Sequence, residues 1–96
     1  MAFSLWIYSN MGKKDIENDC LPVIGKNLRE ARKKVFPKDR LEDFAIRVGV
    51  ARATLQRMEK GDLSVSLGRY LEAAWLLKLD DQFDTLLKRE AGLFED

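Results

Sequence analysis

Residues 40–61 read RLEDFAIRVGVARATLQRMEKG, and this stretch decides the fold. Leu41, Phe44, Ala45 and Val48 recur at i, i+3, i+4 and i+7, the apolar stripe of one short helix. Asp39 and Glu42 have the spacing of a capping box before it, with Asp in place of the usual Ser or Thr. Gly49 ends the helix, as a residue that takes left-handed backbone angles easily. A second short helix begins at Ala51 or Arg52, runs to Lys60 and stops at Gly61. Only Gly49, Val50 and Ala51 lie between, so the two helices must meet at a sharp angle. This is the spacing of a helix-turn-helix. In that motif the first helix braces the second, whose outer face is left free for a DNA major groove.

The helical projection of the second of these helices bears on that expectation. At about 100° per residue, Ala51, Leu55 and Met58 fall together and face inward. Gln56, Lys60, Ala53 and Arg57 fall opposite, with Arg52 at their edge. The only acid within the helix, Glu59, projects on the core side near Arg52. The outward face is therefore expected to hold two Arg, one Lys, one Gln and a small Ala, with no carboxylate. Arg reads guanine O6 and N7, Gln reads adenine N6 and N7, and Ala leaves room or meets a thymine methyl. Arg52, Ala53, Gln56 and Arg57 are the candidate base contacts, and Lys60 a candidate phosphate contact. Any solvated helix is rich in such residues; the tight turn and the basic surroundings favour the DNA-facing reading.

Working outward, Ile24, Leu28, Ala31 and Val35 line one face of a preceding helix. Pro22 suits its first turn and Pro37 stops it. Ser66 can cap a later helix in which Leu67, Tyr70, Leu71, Ala74 and Leu77 share a face. A fifth helix is suggested by Phe83, Leu86 and Leu87. Asp80, Asp81 and Asp84 fall in or near its first turn and Lys88 and Arg89 in its last, as the helix dipole favours. The fold class is all-α, with five short helices across residues 21–90. Residues 1–20 form an N-terminal extension, where Phe3, Trp6 and Tyr8 precede a polar linker. It reads as a strand, a docking segment or a tail, and Met11 is an alternative natural start. Residues 91–96 form a C-terminal tail.

The stretch "IGKNLREARKKVF…RLEDFAIRVGVARATLQRMEKGD" resembles the Xre-type, lambda-repressor-like helix-turn-helix family. Phe44-Ala45, Gly49-Val50-Ala51, Thr54-Leu55, Met58-Glu59 and Gly61 occupy its pattern positions. The step Val65-Ser66-Leu67-Gly68 after Lys60-Gly61-Asp62 is similar to HipB-type antitoxins. The resemblance covers about residues 22–88 and implies a five-helix lambda-repressor-like domain. It also implies a scaffold ion pair between Arg32 and Glu59. Thr54 is then placed either to bond a phosphate or to close the first turn. The chain departs from the family at two places. Ala51 stands where Ser or another cap former is usual, which costs about 1 kcal/mol at the cap. Arg40-Leu41 replaces Thr-Gln, leaving Lys38, Arg40 and backbone N–H groups as the phosphate contacts.

Composition narrows the function further. The 96 residues, enough for one small domain, carry 17 Lys+Arg and 16 Asp+Glu, a net +1. That near-balance hides an asymmetry, a partner signal in itself. Residues 21–60 hold 11 basic and 5 acidic side chains, or +6, and residues 61–96 hold 4 and 8, or −4. With no His and one Cys, the chain cannot build a Ser-His-Asp or Cys-His site, tetrahedral zinc or an internal disulfide. The carboxylates Asp80, Asp81 and Asp84 read as cap and dipole residues, so no catalytic residue, metal or cofactor is expected. No apolar run is long enough for a membrane span, and a cytoplasmic, nucleoid-associated location is expected.

The expected function is sequence-specific binding of double-stranded DNA by a homodimer that regulates transcription. The resemblance refines this to an autorepressing antitoxin whose partner is a HipA-like kinase toxin. The acidic segment is then a toxin-facing or dimer surface, or ordinary charge offsetting the basic one. Arg29, Lys33 and Lys34 form a basic cluster that is either solvated or a backbone or partner contact. Trp75 is either an edge-of-core residue or a dimer or partner contact. The competing reading is a protein-interaction module that keeps the fold and has lost DNA binding.

Overall fold

The computed structural model describes residues 20–89. The extension over residues 1–20, apart from Cys20, and the tail over residues 91–96 lie outside the described residues. Four α-helices follow one another: α1 (Pro22–Val35), α2 (Leu41–Val48), α3 (Arg52–Met58) and α4 (Leu67–Leu76). A 3-10 helix, Asp80–Thr85, closes the set. Among the described residues there is no strand, only an isolated antiparallel bridge between Cys20 and Asp62.

Three helix ends share one physical solution. At Gly49 the backbone turns left-handed (φ 86°), and the Val50 and Gly49 N–H groups donate to the Ala45 and Ile46 carbonyls at 3.0 and 3.1 Å. Gly61 (φ 78°) repeats this after α3, with Asp62 and Gly61 donating to Arg57 and Met58. Lys78 (φ 62°) repeats it after α4, although it is not glycine. These paired bonds satisfy carbonyls that a helix end otherwise strands. Ser66 caps α4, accepting from the Arg69 N–H at 3.3 Å.

The start of α2 differs from its sequence reading. Its cap position is Arg40, and the partner is Asp43, whose carboxylate accepts the Arg40 N–H at 2.9 Å. Arginine carries no acceptor, so only this half of a capping box forms. Asp39, the expected cap, instead accepts from Arg47 Nε at 2.6 Å. Arg47 also lies over the Phe36 ring, 4.3 Å from its centre. Phe36 in turn packs on Phe44 with ring centres 5.7 Å apart. The α1–α2 connection is thus fixed by an aromatic pair with a cation on its outer side.

Phe44, Leu55 and Met58 are fully buried and join α2 to α3. Val65, Tyr70, Ala73 and Leu77 complete the core from the other side. Of the face expected on α4, Tyr70, Ala74 and Leu77 are buried, but the face is rotated in part. Ala73 is buried, while Leu67 and Leu71 are 61% and 41% exposed. Trp75 is 66% exposed and lies on the surface rather than at the edge of the core. The expected fifth α-helix is shorter and tighter: Phe83 packs against the core, and Leu86 and Leu87 fall beyond its end and are exposed. Lys88 and Arg89 therefore lie outside any last helical turn.

α1 meets the end of α3 backbone to backbone. A Cβ at Gly25 would overlap the Gly61 nitrogen and the Glu59 carbonyl. A Cβ at Gly61 would overlap the Leu21 carbonyl. Leu21 N–H donates to the Gly61 carbonyl at 2.8 Å, fastening the entry to α1 at the same point.

Candidate nucleic-acid interface

α3 has one buried and one open side. Leu55 and Met58 point into the core with no exposure. Arg52, Ala53, Gln56, Arg57 and Lys60 are exposed, and Thr54 is half-buried. Ala51, expected to face inward, is exposed because it is the cap residue and precedes the helix. Its side chain accepts no N–H, so the first turn of α3 is uncapped. The Thr54 hydroxyl makes no hydrogen bond among the described residues and does not close that turn.

The open face is not free of carboxylates, contrary to the expectation from α3 alone. Neighbouring elements supply them. Glu42, in the first turn of α2, lies between two arginines: Arg52 Nε is 3.5 Å from one of its oxygens and Arg40 Nη1 is 3.8 Å from the other. The starts of α2 and α3 therefore converge on one carboxylate. Its own backbone N–H holds Glu42 below the usual carboxylate pKa, and Arg40 and Arg52 add to the shift.

At the other end of α3, Arg57 is held twice. Its Nε donates to Asp62 at 2.9 Å and its Nη2 to the Ser64 hydroxyl at 2.7 Å. Asp62 also accepts from the Ser64 N–H at 2.8 Å and from its hydroxyl at 2.6 Å. These bonds, first from Ser64 and then from Arg57, lower the Asp62 pKa to about 2. An Asp followed two residues later by Ser is a turn-forming spacing, so Asp62 and Ser64 were open to sequence reading. Arg57 is therefore built into the α3–α4 turn, whereas the side chains of Gln56 and Lys60 make no ion pair or hydrogen bond among the described residues.

Lys38 and Arg40 are exposed just before α2. Lys38 is unpaired among the described residues. Arg40 leans on Asp43, with Nε 3.3 Å from its carboxylate, and that contact raises the Arg40 pKa. Arg29, Lys33 and Lys34 are exposed on α1. Beneath the surface, Arg32 and Glu59 are brought together: Nε and Nη2 donate to the two carboxylate oxygens at 2.6 and 3.1 Å. Glu59 follows the last residue of α3, so this pair ties α1 to the end of that helix.

The arrangement offers hydrogen-bond donors and positive charge on a convex helix, with a rigid support behind it. Exposed ion pairs such as Arg52–Glu42 contribute only about 0–1 kcal/mol, so an incoming anion can displace them. Among the described residues no group of three or more Cys, Asp or Glu side chains is placed to hold a metal ion. No helix among the described residues is long and apolar enough to cross a membrane. No family model matches the chain, and no curated protein or solved structure matches it.

Proposed function

We propose that this protein is a sequence-specific, double-stranded-DNA-binding regulator of transcription, with α2 and α3 as its helix-turn-helix. The single observation that carries the reading is α3: Leu55 and Met58 are wholly buried while Arg52, Ala53, Gln56 and Lys60 are exposed on its outer side. Arg52 and Gln56 are the residues assigned to base edges, with Ala53 leaving room beside them. Arg57 is assigned a smaller share of base contact because Asp62 and Ser64 hold it. Lys38, Arg40, Thr54 and Lys60 are assigned to phosphates. One such helix offers few base contacts, so the reading includes a homodimer on a pseudo-palindromic site with half-sites about 34 Å apart.

Within this reading the protein is an autorepressing antitoxin, and its partner is a HipA-like kinase toxin. The support is the resemblance of the sequence and the acidic charge after residue 60, which DNA would repel. Co-purification with the product of an adjacent gene tests the toxin; a solitary gene argues for a plain repressor.

The second reading, an interaction module without DNA binding, is favoured by the uncapped Ala51 and by Leu41, which packs against the core instead of reaching a phosphate. Selection from a random DNA pool, followed by a salt-titrated mobility shift, separates the two. A regulator enriches a pseudo-palindromic site, with log K falling by about 0.9 per neutralised phosphate for each tenfold rise in salt. An interaction module enriches nothing and shows no such slope.

A further inference from the structure

Glu42 is placed where a DNA-binding surface gains least from an acid. Its carboxylate stands between Arg40 and Arg52, at 3.8 and 3.5 Å, in the first turn of α2. A helix start is a natural seat for a phosphate, and here a fixed negative charge already occupies the neighbourhood. Its contact with Arg52 is made to Nε. The Arg52 side chain makes no hydrogen bond among the described residues, so its donors remain available to guanine O6 and N7. Arg40 is less available, since its guanidinium is shared between Glu42 and Asp43.

We propose that Glu42 is a positioning and specificity-determining residue: its nearest contact, to Arg52 Nε, biases that arginine toward base reading, and its charge weakens without abolishing the grip of Arg40 and Arg52 on the phosphate backbone. The inference rests on the DNA-binding reading. Its physical content is a difference between two affinities. Contact with arbitrary sequence is almost entirely electrostatic, so a carboxylate in the contact zone weakens it in full. Contact with the selected site recovers part of that loss through an Arg52 already aimed at a base edge.

The test uses Glu42→Gln in the full chain, which keeps the shape and removes the charge. Affinity for a scrambled duplex should rise about 3- to 10-fold, affinity for the selected site should rise less, and the ratio of the two should fall. The salt slope on scrambled DNA should steepen by about one phosphate equivalent, or 0.9. In an Arg52→Ala background, Glu42→Gln should no longer change the ratio. Glu72→Gln, which removes the same charge from an exposed pair on α4, should leave the ratio unchanged. If Glu42→Gln leaves the ratio at its wild-type value while the wild type selects a site, the inference fails and the DNA reading stands. If the wild type binds no DNA, both fail.

Discussion

Arg32 of α1 grips Glu59, the residue after α3, through two hydrogen bonds of 2.6 and 3.1 Å, with their side chains only 8% and 9% exposed. Removing one partner of a buried pair strands the other charge and costs about 3–5 kcal/mol, whereas replacing both with apolar groups is often neutral. Glu59→Ala is therefore expected to lower the urea midpoint sharply. Arg32→Met combined with Glu59→Leu should restore most of the loss. A double variant as unstable as Glu59→Ala would show that the charge itself is needed.

Ala51 leaves the first turn of α3 uncapped. Its extended backbone (φ −69°, ψ 153°) is the conformation a capping side chain uses. Ala51→Ser should add about 1 kcal/mol of stability. For a domain of this size that raises the melting temperature by about 4–8 °C. An unchanged melting temperature would mean that the new hydroxyl does not reach the N–H groups of the turn.

Asp62 supplies a pH dependence of known sign. Its pKa in the folded chain is lowered from the usual 3.8 to about 2. The folded state therefore binds this proton less readily than the unfolded chain, and the ionised form stabilises the fold. That contribution is complete above about pH 4 and is lost as the pH falls through about 2. Asp62→Asn should flatten the acid limb of a plot of melting temperature against pH within this window. Parallel curves for wild type and variant would remove Asp62 from the account.

On the proposed DNA-binding reading, base readers and phosphate contacts should separate by their effect on specificity. Arg52→Ala and Gln56→Ala should each cost about 1–3 kcal/mol on the selected site and relax preference at one base pair. Lys38→Ala should weaken all sequences alike and reduce the salt slope by about 1. Quantitative binding to selected and scrambled duplexes distinguishes these patterns. Equal losses on both duplexes for Arg52→Ala would reassign that residue to the backbone.

Much of the fold was legible where one local signal acts alone. Gly49 and Gly61 end their helices, Ser66 caps α4, and Phe44, Leu55 and Met58 form the core that periodicity indicates. Several of the failures share one physical origin, which is competition from residues distant along the chain or on other elements. Asp39 has cap spacing, but Arg47 takes its carboxylate. Of the face expected on α4, Tyr70, Ala74 and Leu77 are buried, but Ala73 joins the core in place of Leu67 and Leu71; the Tyr70 hydroxyl also donates to the Asp62 carbonyl at 2.6 Å. The candidate interface was partly legible for the same reason. A projection of α3 sorts its own side chains, but it cannot see Glu42 arriving from α2 or Asp62 folding back from the following turn.

The crossing of Gly25 and Gly61 also governs how this chain can change over generations. Neither residue has a side chain to touch a ligand, yet any added carbon would collide with the facing backbone. In a library of all single substitutions, both positions should tolerate almost nothing, while exposed Gln56 and Lys60 should accept many residues at no cost to folding. Invariance at 25 and 61 would then record how closely two backbones pass, and variation at 56 and 60 would record a change of target.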